Sequence, residues 1–151
     1  MVFKFRFERI LGLRKHKEKE KMEELAKEQK KLFLLYNELK RNLEESETKL
    51  KELREKEKGM VIIEELIRYR AYLTKLYKEE AALRKKIKKQ EEVVEEKRLE
   101  LVEASKERRM MERLKENQEK EYWIEFWKQD EKVNDDLTTA RTIAMSGEKN
   151  G

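Results

Sequence analysis

The sequence predicts an all-α protein, a two-helix antiparallel coiled-coil hairpin with unequal arms. Of its 151 residues 48% are charged, none is proline and four are glycine, so helix formers dominate and helix breakers are scarce. Apolar residues recur on alternating steps of three and four in two separate runs, the spacing of a narrow coiled-coil seam rather than of a wide globular core face. The runs fall out of step near Gly59 by two residues. An inserted stutter is three or four residues, so a fold-back explains the break better than one unbroken helix.

The first run holds Met22, Leu25, Leu32, Tyr36, Leu39, Leu43, Leu50, Leu53 and Met60, interrupted by Gln29, Ser46 and Glu57. The second holds Leu66, Tyr69, Leu73, Leu76, Leu83, Ile87, Val94, Leu101, Ala104 and Met111, interrupted by Glu80, Gln90, Lys97 and Arg108. Folding back at Gly59 and Met60 sets Leu53 against Leu66, Leu43 against Leu76, Leu32 against Ile87 and Leu25 against Val94. The same register sets Gln29 against Gln90, a shared amide layer that would fix the alignment. The expected elements are a first helix over about 3–58, a turn at about 59–60, a second helix over about 61–143 and a frayed tail over 144–151, all in one coiled-coil domain. Gly59 suits a left-handed cap, with Lys56 and Lys58 at the negative end of the first helix.

The second helix outruns the first. Past Glu119 the overhang carries Tyr122, Trp123, Ile124, Phe126 and Trp127, including both tryptophans of the chain. Five large apolar side chains in six positions cover more than one helical face. Two destinations are open to them: the nearby Phe3, Phe5 and Phe7, or a partner. Charge gathers at the same end. Met1–Lys21 holds eight Lys or Arg against three Glu, and Lys106–Lys115 five against two. The register brings these stretches together, and a basic end beside exposed aromatics favours an acidic partner surface.

No catalytic constellation is present. There is no phosphate-binding glycine loop, no cysteine and a single histidine, His16, whose spacing from Glu20 fits a salt-bridging face better than a metal site. Neither an enzyme nor a cofactor is expected. No run of ~18 apolar residues spans a bilayer. A tether or filament protein pairing through the overhang, and a basic membrane-surface or nucleic-acid binder, are the readings from other classes; without a stacking platform, nucleic acid is not expected.

Three segments carry a family resemblance. Phe3-Lys-Phe-Arg-Phe-Glu-Arg-Ile-Leu-Gly-Leu-Arg14 resembles the aromatic and basic start of the FliJ family, the coiled-coil stalk of the bacterial flagellar type III export apparatus. Ala104-Ser-Lys-Glu-Arg-Arg-Met-Met-Glu-Arg-Leu-Lys-Glu116 is similar to its double-basic segment, and Glu131-Lys-Val-Asn-Asp-Asp-Leu137 with Arg141 to its C-terminal pattern. The resemblance implies a fold like the helical shaft of the rotary ATPase gamma subunit. It also implies a non-catalytic stalk that binds the centre of the hexameric export ATPase ring, promotes ring assembly and ATP hydrolysis, and links the ring to the cytoplasmic domain of the export gate protein for proton-driven secretion. Export chaperones are further implied partners, and the implied place is cytoplasmic, peripheral to the inner membrane at the flagellar base. Ring binding is expected from Phe3, Phe5, Arg6, Arg9, Arg14, Arg108, Arg109, Arg113, Trp123 and Trp127. The family's gate-docking face carries an aromatic, a leucine, an alanine and a histidine; Tyr72 and Leu76 match the first two, while Glu79 and Leu83 depart. In isolation a monomeric hairpin is expected.

Overall fold

The computed structural model describes residues 2–60 and 62–149. Two helices account for nearly all of them, α1 over Glu8–Glu57 and α2 over Ile63–Lys149, packed against each other without strands among the described residues. The all-α, two-helix expectation holds.

Three boundaries differ from expectation, each for a local reason. Helix α1 begins at Glu8 rather than Phe3: residues 3–7 alternate aromatic and basic with period two, which does not suit one helical face, and a turn at Arg6 and Phe7, closed by Glu8 N–H donating to Phe5 O (3.2 Å), leads into the helix. Phe3, Phe5 and Phe7 turn inward while Lys4 and Arg6 are exposed. At the other end, Lys58 N–H donates to Glu55 O (3.3 Å) and Gly59 N–H to Lys56 O (3.2 Å), so α1 closes in a tight final turn. No described glycine has positive φ, so the left-handed cap expected at Gly59 does not form. The expected start of the second helix at Val61 lies outside the described residues; Ile62 O accepts from Glu65 N–H (3.0 Å) and Leu66 N–H (3.2 Å) to open α2. The tail expected to fray from position 144 is helical to Lys149. Its hydroxyls turn back onto their own helix, Thr138 to Asn134 O, Thr142 to Thr138 O and Ser146 to Thr142 O, leaving no competing local turn.

The sequence reads as one coiled-coil domain; its contacts gather into two compact units, Glu18–Ala104 and Met1–Lys17 with Ser105–Gly151. In Glu18–Ala104 the strands of the hairpin run antiparallel. Glu28 meets Gln90, Asn42 meets Leu76, Glu52 meets Tyr69 and Lys56 meets Glu65. On α2 the least exposed positions follow the expected stripe from Leu66 through Ala104. On α1 only alternate members of the expected stripe do so. Leu25, Leu32, Leu39, Ser46 and Leu53 face the partner helix, but the intervening places belong to Glu28, Leu35, Asn42 and Lys49, while Gln29, Tyr36 and Leu43 are exposed.

A seam that takes Asn42 in place of Leu43 needs a polar partner, and Asn42 Nδ2 donates to Leu76 O (3.1 Å). Asn42 Oδ1 and Ser46 Oγ are buried without a partner. The Gln29–Gln90 layer is absent for the same reason of rotation. Gln90 Nε2 donates instead to Glu28, at its main-chain O (3.0 Å) and Oε2 (2.6 Å). That bond, with the neighbouring Lys31, holds the Glu28 carboxyl below its ordinary range.

Candidate functional site

Within the unit formed by Met1–Lys17 and Ser105–Gly151, the non-helical residues ahead of α1 pack against α2. The Phe3 ring contacts Tyr122 (centroids 5.5 Å apart), inside the segment expected to overhang. From there rings follow one another along α2: Tyr122 and Trp123 at 5.3 Å, Trp123 and Phe126 at 5.6 Å, Phe126 and Trp127 at 5.5 Å, all edge to face. Phe5 meets Phe7 edge to face and is buried, as is Leu11.

Packing against the start of the chain thus covers only part of the aromatic run. Tyr122 and Phe126 are half-buried, whereas Trp123 is 37% exposed, Trp127 59% and Ile124 is also open. From Trp127 through Glu148 every residue is exposed, Val133, Leu137, Ile143 and Met145 among them.

The cations of this unit divide into two groups. Arg14 Nη1 pairs with Glu107 Oε2 (2.6 Å), Arg108 Nη1 with Glu112 Oε2 (2.6 Å) and Lys115 Nζ with Glu8 Oε2 (2.9 Å). These hold the unit together. Arg6, Arg9, Arg109 and Arg113 are exposed; Arg6 lies over the Phe7 ring at 5.6 Å, and Arg109 and Arg113 line a shallow groove on α2 with Lys106, Met110, Glu112 and Glu116. Of the ten residues expected to contact a ring, Phe5 is an interior side chain, Phe3 is half-covered by Tyr122, and Arg14 and Arg108 are ion-paired inside the unit. The remaining six are accessible. Ile124, read as part of the overhang but not among the residues expected to contact a ring, is exposed beside them.

A second feature lies in Glu18–Ala104. Tyr72 donates its hydroxyl to the Glu45 carboxylate, which raises the phenol above its ordinary pKa. Its ring sits 5.6 Å from Lys49 Nζ. With Arg68 and Tyr69 these residues line a groove of about 350 Å³. Leu76 is only 3% exposed and lies in the seam, so as a contact residue it is corrected: its side chain fills the hairpin interior. Glu45, Lys49 and Arg68 join Tyr72 through register and helix rotation, which an alternating stripe read on one helix does not reveal.

No group of three or more potential metal ligands occurs among the described residues, and no described helix is long and apolar enough to cross a membrane. The site defines a class: a long antiparallel helical pair whose terminal unit presents a partly open aromatic run flanked by arginines. The family described as flagellar FliJ protein matches residues 3–146, and the chain belongs to the FliJ family, a component of flagellar type III protein export. No curated protein matches the sequence. Among solved structures, the chain is similar to a putative YscO homolog from Chlamydia trachomatis, with 24% identity over 91% of this chain and 94% of that one and a TM-score of 0.46.

Proposed function

We propose that this protein is the non-catalytic stalk of the export apparatus, binding the centre of the hexameric export ATPase through the unit formed by Met1–Lys17 and Ser105–Gly151. The observation that carries this reading is the exposure of Trp123, Ile124 and Trp127 on the same unit as the uncovered arginines Arg6, Arg9, Arg109 and Arg113. Exposed tryptophans supply apolar contact area, and exposed cations steer the end toward an acidic pore. Binding there promotes ring assembly and ATP hydrolysis. Tyr72, with its groove, is the contact to the cytoplasmic domain of the export gate protein, without Leu76. The stalk works in the cytoplasm at the inner membrane, meets export chaperones, and is a monomeric hairpin when isolated.

The test is stimulation of the export ATPase by the triple variant Arg9→Glu, Arg109→Glu, Arg113→Glu, against a control carrying Lys51→Glu and Arg54→Glu near the turn. The terminal variant is expected to lose stimulation with helicity intact. Equal loss in the control would reverse the polarity assigned to the stalk.

The exposed apolar residues from Val133 to Met145 favour one other reading, a tether that pairs through this segment with another copy. Sedimentation at micromolar concentration decides between them. A stable dimer supports the tether.

A further inference from the structure

The rotation of α1 leaves half of its apolar stripe outside the seam. Tyr36 and Leu43, seven residues apart, lie on one flank of the hairpin, and Tyr36 marks which part of α2 shares it by donating to Glu91 Oε1 at 2.5 Å. Stepping back from Glu91 by sevens keeps to the same flank in a coiled coil and reaches Arg84, Tyr77 and Arg70. Leu43 is 39% exposed and Tyr77 51%, and Phe33 stands open one turn away. The hydrogen bond from Tyr72 to Glu45 marks the opposite flank.

The two flanks differ in charge as well as in polarity. Beside Tyr36, Leu43 and Tyr77 lie the exposed cations Lys40, Arg70, Arg84 and Lys88, against the acids Glu47 and Glu91; Arg84 shares its charge with Glu80 at 2.9 Å, Glu47 pairs with Lys51 at 3.4 Å and Glu91 accepts from Tyr36. The opposite flank runs through Glu38, Glu45, Glu52, Glu65 and Glu79, with Arg68 and Lys86 among them and with Glu52, Glu65 and Glu79 paired to Lys49, Lys56 and Lys75, so it lacks the net positive charge of the first. In a two-stranded coiled coil the rim positions are usually charged, and apolar residues recurring there widen the contact face enough for another helix. From Tyr36 to Leu50 the stripe runs about 20 Å, close to four helical turns.

We infer that this flank is a docking surface for an acidic amphipathic helix of a partner protein, which would lay its apolar face on Tyr36, Leu43 and Tyr77 and its carboxylates toward Lys40, Arg70 and Lys88. A third strand against the hairpin satisfies both the stripe and its charges, and a basic helix does not. The surface is distinct from the terminal aromatics and from the Tyr72 groove, and it stands whether or not the ATPase reading does.

The full-length protein is titrated into a labelled synthetic heptad peptide with leucine at the seam positions and glutamate at the rim, followed by fluorescence anisotropy at low and high salt. The same peptide with lysine in place of glutamate is the control. The acidic peptide is expected to bind about tenfold or more tightly than the basic one, and to weaken with salt. Leu43→Asp with Tyr77→Asp is expected to lose about tenfold or more in affinity, whereas Leu34→Asp, an exposed leucine elsewhere on α1, leaves it unchanged. Far-UV circular dichroism accompanies each variant, and if the aspartates reduce helicity, Leu43→Ala with Tyr77→Ala takes their place with the same expected direction. Binding that survives the helical double variant, equal binding of both peptides, or no binding overturns the inference. Self-association or attachment to anionic vesicles that depends on Leu43 and Tyr77, without acidic-peptide binding, overturns it too.

Discussion

Two stretches of the same hairpin are held by different forces. Near the turn, Leu53, Leu73 and Leu76 are buried and the helices are joined chiefly by apolar contact. Farther from the turn, Lys21 Nζ reaches Glu100 Oε2 at 3.1 Å and Lys97 Nζ reaches Glu24 Oε2 at 3.4 Å, and the seam is laced by partly exposed ion pairs. Removing water from leucine is worth several times an exposed ion pair. Stability is therefore concentrated toward the turn, while the charged stretch contributes alignment more than strength.

The largest expected effect follows from the buried leucines. Leu73→Ala and Leu76→Ala should each cost about 2–5 kcal/mol in thermal or urea unfolding, because the truncated side chain leaves a cavity that two packed helices only partly close. A cost below about 1 kcal/mol at both sites would mean that the turn-proximal seam is not the stabilising part.

Next is the polar layer at Asn42. Its Nδ2 bonds Leu76 O but its Oδ1 has no partner, so Asn42→Leu should raise stability by about 1 kcal/mol and loosen the alignment. The alignment is read by cysteines at Leu25 and Val94, whose intramolecular crosslinking should become less complete. A fall in stability would show that the amide contributes more than its half-satisfied environment suggests.

The charged stretch should respond weakly, and to pH and salt. Hydrogen bonding to Lys21 depresses the Glu100 carboxyl, and hydrogen bonding to Gln90 depresses that of Glu28. With the folded pKa below the unfolded one, their contribution is present above the ordinary carboxylate range and fades as pH falls through the depressed folded values. The hydrogen bond to Glu100, with Glu24 second, raises Lys21, and the charge of Glu100, with a hydrogen bond to Glu24, raises Lys97; their contribution is present at neutral pH and fades only as pH rises through the raised lysine values. Thermal melts of Glu100→Gln against the parent should converge at acid pH. Parallel melts from neutral to acid pH would remove Glu100 from the account.

Gly59→Ala should have the smallest effect, a stabilisation of at most about 1 kcal/mol. Gly59 lacks positive φ and an added Cβ meets nothing within 4 Å, so alanine only restricts the unfolded chain. Marked destabilisation would restore the left-handed cap.

The two helices were not equally legible in the sequence. The seam positions of α2 could be read residue by residue, since Leu66, Tyr69, Leu73, Leu76, Leu83 and Ile87 offer a single apolar stripe with no competitor. Helix α1 offers two overlapping stripes one residue apart, and hydrophobicity favours the one with Tyr36 and Leu43 over the one with Leu35 and Asn42. Tertiary hydrogen bonding by Asn42 and Gln90 decided between them, which no single-helix pattern contains. At the terminal end the aromatics and arginines stood out by composition, but the non-helical path of residues 3–7, which brings Phe3 to Tyr122, was signalled only by a period-two alternation inside a chain otherwise read as helix. The burial of Phe5 and the ion pairs of Arg14 and Arg108 depend on where that segment goes.

The central claim is that the aromatic and basic terminal unit is where the export ATPase binds, and the chain supplies its own reporter because both tryptophans lie there. With Trp123 and Trp127 replaced biosynthetically by 5-fluorotryptophan, the ¹⁹F spectrum can be followed as the assembled ATPase hexamer is added. Both resonances are expected to shift and to lose their sensitivity to dissolved paramagnetic quencher as the rings leave water. Unchanged resonances and undiminished quenching at saturating ATPase, with binding confirmed by sedimentation, would place the contact elsewhere on the chain and contradict the account.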